Sequence, residues 1–163
     1  MAALSRVADG CHDDARLLDP RSTVNPRTAL HVVPGGTGES LDHFVERDEM
    51  RFAGTHLIVD LWEASNLDDA DVVEKALREA AAAAGATLLK LDLHCFTPSG
   101  GITGVAVLAE SHISIHTWPE RTYAAVDVFM CGDAKPHRSI RVLRQAFCPR
   151  TLTVSEHRRG VMP

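Results

Sequence analysis

The sequence predicts an α+β fold, a two-layer α/β sandwich in which two helices cover one face of a largely antiparallel sheet. Three observations lead to this prediction. Strand-like segments rich in apolar and β-branched residues begin near position 55, two segments have helical periodicity, and the order strand–helix–strand occurs twice around a central pair of strands. The chain has 163 residues, which suits one domain built from two similar β-α-β halves.

The first half contains a strand, a helix and a second strand. THLIVDLWEA reads as a strand, and LDDADVVEKALREAAAAAG reads as a helix that Asp68 or Asp69 can cap and Gly85 can end. The apolar residues of this helix fall on one face, which comprises Val73, Ala76, Leu77, Ala80 and Ala84. ATLLKLDLHCF is the following strand.

The second half repeats this order after two central segments. PSGGITG predicts a glycine-rich turn that leads into the strand VAVLAE. TYAAVDVFM is the next strand, PHRSIRVLRQAF is a helix in which Pro136 suits the first turn, and RTLTVSEH is the last strand. VDVF in the second half echoes VDLW in the first, as an internal duplication would produce.

Residues 1–50 differ from the rest of the chain. Pro, Gly, Asp and Arg recur there without a sustained period, which predicts a disordered extension and leaves 51–163 as the folded domain. The N-terminus has no apolar run typical of a signal peptide, so we expect a cytoplasmic protein. The net charge of −5 and the absence of a long apolar run give no reason to expect nucleic acid or a membrane as a partner.

The segment AESHISIHTWPE, at positions 109–120, has an unusual density of proton-transfer groups. A strand needs apolar residues on one face, but it has no need of two His and two Ser within six positions. Strand alternation places His112, Ser114 and His116 on one face and Ser111 on the other. Ser111 and His116 of one strand can therefore cooperate only if the strand bends between them.

Together with YAAVDVF and CGD, the segment ESHISIHTWPE resembles the bacterial and archaeal S-adenosylmethionine decarboxylases, a pyruvoyl-dependent family. The resemblance runs from about His56 to the end of the chain. It implies the sandwich fold, autocatalytic cleavage between Glu110 and Ser111 into 1–110 and 111–163, and a covalent pyruvoyl group generated from Ser111. It also implies decarboxylation of S-adenosylmethionine for spermidine biosynthesis, by a homodimer of processed two-chain protomers.

The resemblance further implies roles for individual residues. Ser111, as the pyruvoyl group, would form the Schiff base with the substrate, and His116 would be the base in processing. Thr103 would supply a hydroxyl that supports the acyl shift, and Cys131 would donate a proton to the substrate carbon after CO2 leaves. The implied substrate-binding residues are Phe96 and Trp118, which would hold the adenine between them, and Glu120, which would accept hydrogen bonds from the ribose hydroxyls.

Other functions were weighed against this one. His94, Cys95, Cys131 and His116 do not have the spacing of a usual zinc site, so we predict no metal. The sequence has no GxSxG motif typical of a serine hydrolase. The remaining alternatives are a pyruvoyl enzyme acting on another amino acid, such as arginine or ornithine, and an unprocessed regulatory paralogue.

Overall fold

The computed structural model describes residues 44–47 and 49–162 of the chain. The helices and strands along it are β1 Val45–Arg47, β2 Met50–Phe52, β3 Gly54–Trp62, α1 Ala70–Ala84, β4 Leu88–Cys95, β5 Ile102–Leu108, β6 Ser111–Trp118, β7 Tyr123–Met130, α2 His137–Phe147 and β8 Thr151–Arg159. A single 3-10 turn, Pro119–Arg121, connects β6 to β7. The prediction of an α+β fold with a largely antiparallel sheet is confirmed.

One six-stranded sheet forms the body of the protein. Its strand order is β4-β5-β6-β7-β3-β8, and every neighbouring pair is antiparallel. Strands β3 and β7, which carry the related segments VDLW and VDVF, lie side by side at the join between the two halves. Both helices pack on the same face of this sheet and against each other, and the apolar core lies between the two layers.

The first helix begins and ends as its sequence predicts. The Asp69 carboxylate caps it by accepting hydrogen bonds from the backbone N–H groups of Asp71 and Val72, and Gly85 ends it in the left-handed conformation. Its core-facing residues include all five predicted positions, together with Ala81. Removing these side chains from water stabilises the helix on the sheet, because isolated helices of this length are marginal.

A short hairpin precedes the sheet. Strands β1 and β2 pair antiparallel, with Val45 opposite Phe52. The boundary predicted at position 50 therefore falls inside this hairpin, and the rest of the segment 1–50 lies outside the described residues except for Phe44 and Glu49. No helix in the described part of the chain has the length and apolar character needed to cross a membrane.

The other face of the sheet carries no helix, and we call it the open face. Alternation along the strands gives it the even-numbered residues of β6 and the odd-numbered residues of β7. Several of its apolar side chains are exposed, namely those of Ile58, Trp62, Val105, Val107 and Trp118. The open face also carries Thr103, His116 and Trp118, three of the residues to which the sequence assigned chemistry.

Candidate active site

The turn between β5 and β6 contains the Glu110–Ser111 bond. Leu108 pairs with Ser111, so only Ala109 and Glu110 connect the two strands. Glu110 has φ 55°, in the left-handed region that residues with a side chain rarely adopt. A hydrogen bond from the Ala109 N–H to the Thr87 carbonyl, 2.9 Å long, helps to hold the turn. The backbone is therefore strained at the residue that supplies the carbonyl of this bond.

Three groups meet at this turn. The backbone N–H of Cys131 donates a hydrogen bond to Ser111 Oγ at 3.3 Å, and Cys131 Sγ lies 3.5 Å from the same oxygen. The Cys131 thiol also donates to the Glu110 carbonyl oxygen at 2.9 Å. Cys131 is a free thiol directly after the end of β7, and both it and Ser111 are half-buried. The structure thus brings together the nucleophile and the carbonyl of the adjacent peptide bond, with Cys131 in contact with both.

Thr103 and His116 form a second cluster, on the open face. They are direct partners in the pairing of β5 and β6, and Thr103 Oγ1 lies 3.0 Å from His116 Nδ1. The register therefore brings the predicted hydroxyl and the predicted base together. The glycine-rich turn is shorter than the segment PSGGITG suggested, because β5 already begins at Ile102 and includes Thr103.

The two clusters do not meet within one protomer. Ser111 and His116 are five residues apart in one strand, which corresponds to about 17 Å at roughly 3.4 Å per residue. The pairing of β6 with both neighbours continues without a shift in register, so the strand contains no bulge. The expectation that Ser111 and His116 lie on opposite faces of a regular strand is confirmed, and no bend brings them together.

The predicted adenine-binding residues lie beyond His116, at the end of the sheet far from Ser111. Trp118 ends β6, and Phe96 follows β4 two strands away. The rings of both are exposed, and each has a histidine ring nearby, His94 at 4.6 Å from Phe96 and His116 at 6.3 Å from Trp118. Glu120 is exposed in the turn that follows Trp118.

Two further aromatic residues adjoin Trp118, and the sequence reasoning missed both. Tyr123 pairs with Trp118 on one side and with Trp62 on the other. The ring centroids are 5.4 Å apart for Tyr123 and Trp118 and 4.3 Å apart for Tyr123 and Trp62. The composition could have drawn attention to these residues. The chain has only two Trp and one Tyr, and the structure places all three side by side on neighbouring strands.

Asp60 fixes the Tyr123 hydroxyl. The phenol donates a hydrogen bond of 2.6 Å to Asp60 Oδ1, and Thr153 Oγ1 donates to Oδ2 of the same carboxylate at 3.3 Å. Burial raises the pKa of Tyr123 to about 12, and the hydrogen bond to Asp60 adds to the rise. The phenol is therefore protonated at every physiological pH and remains a donor to Asp60.

Known proteins of one family are similar to this chain over most of its described length. A model of the S-adenosylmethionine decarboxylase family matches residues 55–160. An S-adenosylmethionine decarboxylase proenzyme of Thermomicrobium roseum is 47% identical over 114 residues, which cover 69% of this chain and 98% of the relative. A proenzyme of the same description from Methanococcus vannielii is 49% identical over 116 residues, covering 69% and 94% of the two chains.

A solved structure is also similar. The crystal structure of the adenosylmethionine decarboxylase from Aquifex aeolicus superposes with a TM-score of 0.63 at 33% sequence identity, and the match covers 69% of this chain and 94% of the other. The part of this chain that matches its relatives therefore contains the whole six-stranded sheet, both helices and both clusters of the candidate site.

Proposed function

The chain belongs to the S-adenosylmethionine decarboxylase family, which is a family of enzymes, and from this premise we propose that it cuts itself at Glu110–Ser111 and then decarboxylates S-adenosylmethionine. The product would supply aminopropyl groups for spermidine biosynthesis. The observation that carries the proposal is the contact of Cys131 with both Ser111 and the Glu110 carbonyl, at a turn whose backbone is strained.

Self-cleavage begins with attack of Ser111 Oγ on the Glu110 carbonyl carbon, which replaces the amide by an ester. The Cys131 N–H holds the attacking oxygen, and the Cys131 thiol donates to the carbonyl oxygen that becomes negative during the attack. Opening the peptide bond also releases the left-handed backbone of Glu110. Removal of the Ser111 α-proton and loss of the Glu110 carboxylate from the ester leave dehydroalanine with a free amino group at 111. Addition of water and release of ammonia then give the pyruvoyl group.

The residues around position 111 fit such a group. A pyruvoyl ketone binds the substrate amine and accepts the electron pair left when CO2 departs. Cys131 Sγ lies within 3.5 Å of Ser111 Oγ, so its S–H group can deliver a proton at this position. We assign Cys131 the role of proton donor, consistent with the sequence-based prediction.

We further propose that the active enzyme is a homodimer with composite sites. Trp118 lies seven residues from Ser111 in β6, which corresponds to roughly 24 Å, and this is too far for one bound substrate to touch both. A second copy facing the open face about a twofold axis reverses the strand direction and brings its His116, Thr103 and Trp118 to the Ser111 end of the first. The Ser111 side chain starts on the other face, so the second copy approaches Ser111 at its backbone, at the beginning of β6. The exposed apolar side chains of the open face favour such an interface.

The substrate would then lie between the two sheets. Phe96 and Trp118 of one copy hold the adenine, and Glu120 beside them accepts hydrogen bonds from the ribose hydroxyls. Aromatic faces also suit the sulfonium cation of the substrate. The amino acid end reaches residue 111 of the other copy. His116, with Thr103 at its ring, is the base that removes the Ser111 α-proton in the elimination.

Mass spectrometry of the purified protein tests self-cleavage. Cleavage after Glu110 divides the 17.7 kDa chain of 163 residues into fragments of 110 and 53 residues. Their masses are about 12 and about 6 kDa. The smaller fragment should have a blocked N-terminus, and borohydride should reduce the blocking group to lactyl. Ser111→Ala should remain uncut and inactive. A full-length chain in active preparations contradicts self-cleavage. If the purified enzyme decarboxylates arginine or ornithine faster than S-adenosylmethionine, the alternative pyruvoyl enzyme is the correct interpretation.

A further inference from the structure

A row of aromatic rings crosses the open face at one end of the sheet. In the order of the strands, the row contains Phe96, Trp118, Tyr123 and Trp62, with Gly101, directly before β5, between Phe96 and Trp118. Pairing of Thr103 with His116 places Gly101 opposite Trp118, and the Phe96 N–H donates to the Gly101 carbonyl at 2.8 Å. Gly101 is buried, and a side-chain carbon added there would meet the Thr117 carbonyl oxygen at 2.9 Å.

The separation of Phe96 and Trp118 across the sheet is comparable with what a flat ring needs. Neighbouring strands lie about 4.8 Å apart, so the backbones that carry Phe96 and Trp118 are separated by roughly 9.6 Å. A planar ring in van der Waals contact on both faces needs about 7–8 Å between its neighbours. This separation is compatible with the proposed binding of a nucleobase between the two exposed rings, and we call that position the nucleobase slot.

The two faces of Trp118 have different surroundings. One face stacks on Tyr123 of the neighbouring strand β7 with an interplanar angle of 28°, and the other is on the side of β5 and β4, where Phe96 lies. Tyr123 in turn lies against Trp62, with ring centroids 4.3 Å apart, and is fixed at its hydroxyl by Asp60. Trp118 is 41% exposed, so the Tyr123 ring is an important part of the protein surface that supports it.

We propose that Tyr123, anchored by Asp60, is a positioning residue that sets the plane of Trp118 as one wall of the nucleobase slot. This inference rests on the proposed function and deepens it, because it names the groups that select a flat heteroaromatic end of the substrate. Without the Tyr123 ring, Trp118 has other rotamers available and must lose that freedom when the base binds. Tyr123 does not touch the reacting atoms, so it acts on binding and leaves the chemical step unchanged.

The kinetic test compares Tyr123→Leu and Tyr123→Phe in the processed enzyme. Tyr123→Leu should raise the KM for S-adenosylmethionine by about 3- to 10-fold at unchanged kcat, the range expected when an aromatic pair is lost. Tyr123→Phe keeps the ring and loses only the hydrogen bond, so its KM should rise less. A purely structural role predicts the opposite pattern, since misfolded enzyme lowers the apparent kcat and leaves KM unchanged.

Binding of 5′-deoxy-5′-methylthioadenosine gives a second readout that needs no turnover. Both tryptophans of the chain lie in the row, so quenching of their fluorescence reports directly on the slot. The dissociation constant should increase in Tyr123→Leu by the same factor as the KM. If wild-type enzyme fails to bind this nucleoside, the proposed function itself is wrong. Equal binding by wild type and Tyr123→Leu, or an unchanged KM in that variant, overturns only the role of Tyr123.

The hydrogen bond from the Tyr123 hydroxyl to Asp60 can be tested by titration of Tyr123. Tyr123 is the only tyrosine in the chain, so the absorbance of tyrosinate titrates this residue alone. Its pKa should be about 12 in the wild type and lower in Asp60→Asn, where burial, the larger cause of the rise, still keeps it above the ordinary value, and KM should rise in the same variant. An unchanged midpoint or an unchanged KM in Asp60→Asn shows that Asp60 does not hold the ring for binding.

Discussion

Single side chains at the Ser111 turn and on the open face carry most of the chemistry that we propose. Cys131 contributes a backbone N–H and a thiol to the same turn, which explains how one residue can serve both self-cleavage and decarboxylation. The Thr103 hydroxyl lies against His116 Nδ1, and this contact leaves Nε2 as the ring nitrogen that points away from Thr103. The proposed base thus depends on a residue that does not itself exchange protons with Ser111.

Replacement of Thr103 tests this dependence. Thr103→Val keeps the shape of the side chain but removes the hydroxyl, so we expect cleavage to slow by about 10- to 100-fold, less than the ~10²–10⁴ that general acid–base catalysis contributes. Thr103→Ser retains the hydroxyl and is the matched control, which should cleave at a rate close to wild type. The fraction of uncut chain is followed by denaturing electrophoresis after synthesis. Normal cleavage in Thr103→Val would assign no role to the hydroxyl.

Local patterns in the sequence predicted the helices and the strands of the six-stranded sheet. They did not predict the hairpin of β1 and β2. The helix α1 carries its own boundaries in Asp69 and Gly85, and the strands carry β-branched residues in alternation, so both are local properties. Strands β1 and β2 have three residues each and mostly exposed side chains, which gives no period to detect. Strand alternation predicted that Ser111 and His116 lie on different faces of one strand. Which surface of a second copy brings a His116 to Ser111 is not a local property of the sequence.

The hairpin β1–β2 is joined to the end of β8 through its second strand. Phe52 is fully buried and lies 5.3 Å from the Arg158 guanidinium, and the Met162 N–H donates to the Arg51 carbonyl at 2.9 Å. The first strand instead borders a cavity of about 330 Å³ beside the loop Gly132–Lys135, which follows Cys131. Residues 51–53 and the ring of Phe52 therefore connect the hairpin to β8 and to the segment that follows it.

Two shortened chains separate these contributions. A chain that begins at Met50 keeps Phe52, so we expect it to fold, cleave and turn over like the full chain. A chain that begins at Gly54 loses the Phe52 ring and should be less stable by about 3–5 kcal/mol, the usual cost of removing a buried phenylalanine side chain. Denaturant unfolding of both shortened chains with the Ser111→Ala substitution measures their stability, and cleavage and turnover are measured in the same chains with Ser111 intact. Failure of the Met50 chain to cleave would show that the residues before it support the site.

We expect the whole molecule to remain one fold after the proposed cleavage, because the two fragments would interleave. The fragment 1–110 supplies β3, β4, β5 and α1, and the fragment 111–163 supplies β6, β7, β8 and α2. Strand β3 lies between β7 and β8, β5 pairs with β6, and the two helices pack on each other. Three strand pairings and a helix contact therefore join the fragments, so cleavage changes the turn without dividing the core.

Mixing of two inactive variants tests the composite site at the scale of the dimer. Ser111→Ala lacks the cofactor but keeps Trp118 and Glu120, whereas the double variant Trp118→Ala/Glu120→Gln makes the cofactor but lacks the nucleoside pocket. In a mixed dimer, the intact Ser111 end of one copy meets the intact Trp118 end of the other, and one complete site forms. Random association on co-expression gives half mixed dimers with one of two sites complete, so activity should reach about a quarter of wild type. Each variant expressed alone should remain inactive or nearly so. If all site residues came from one protomer, co-expression would restore no activity, and the open face would need another explanation.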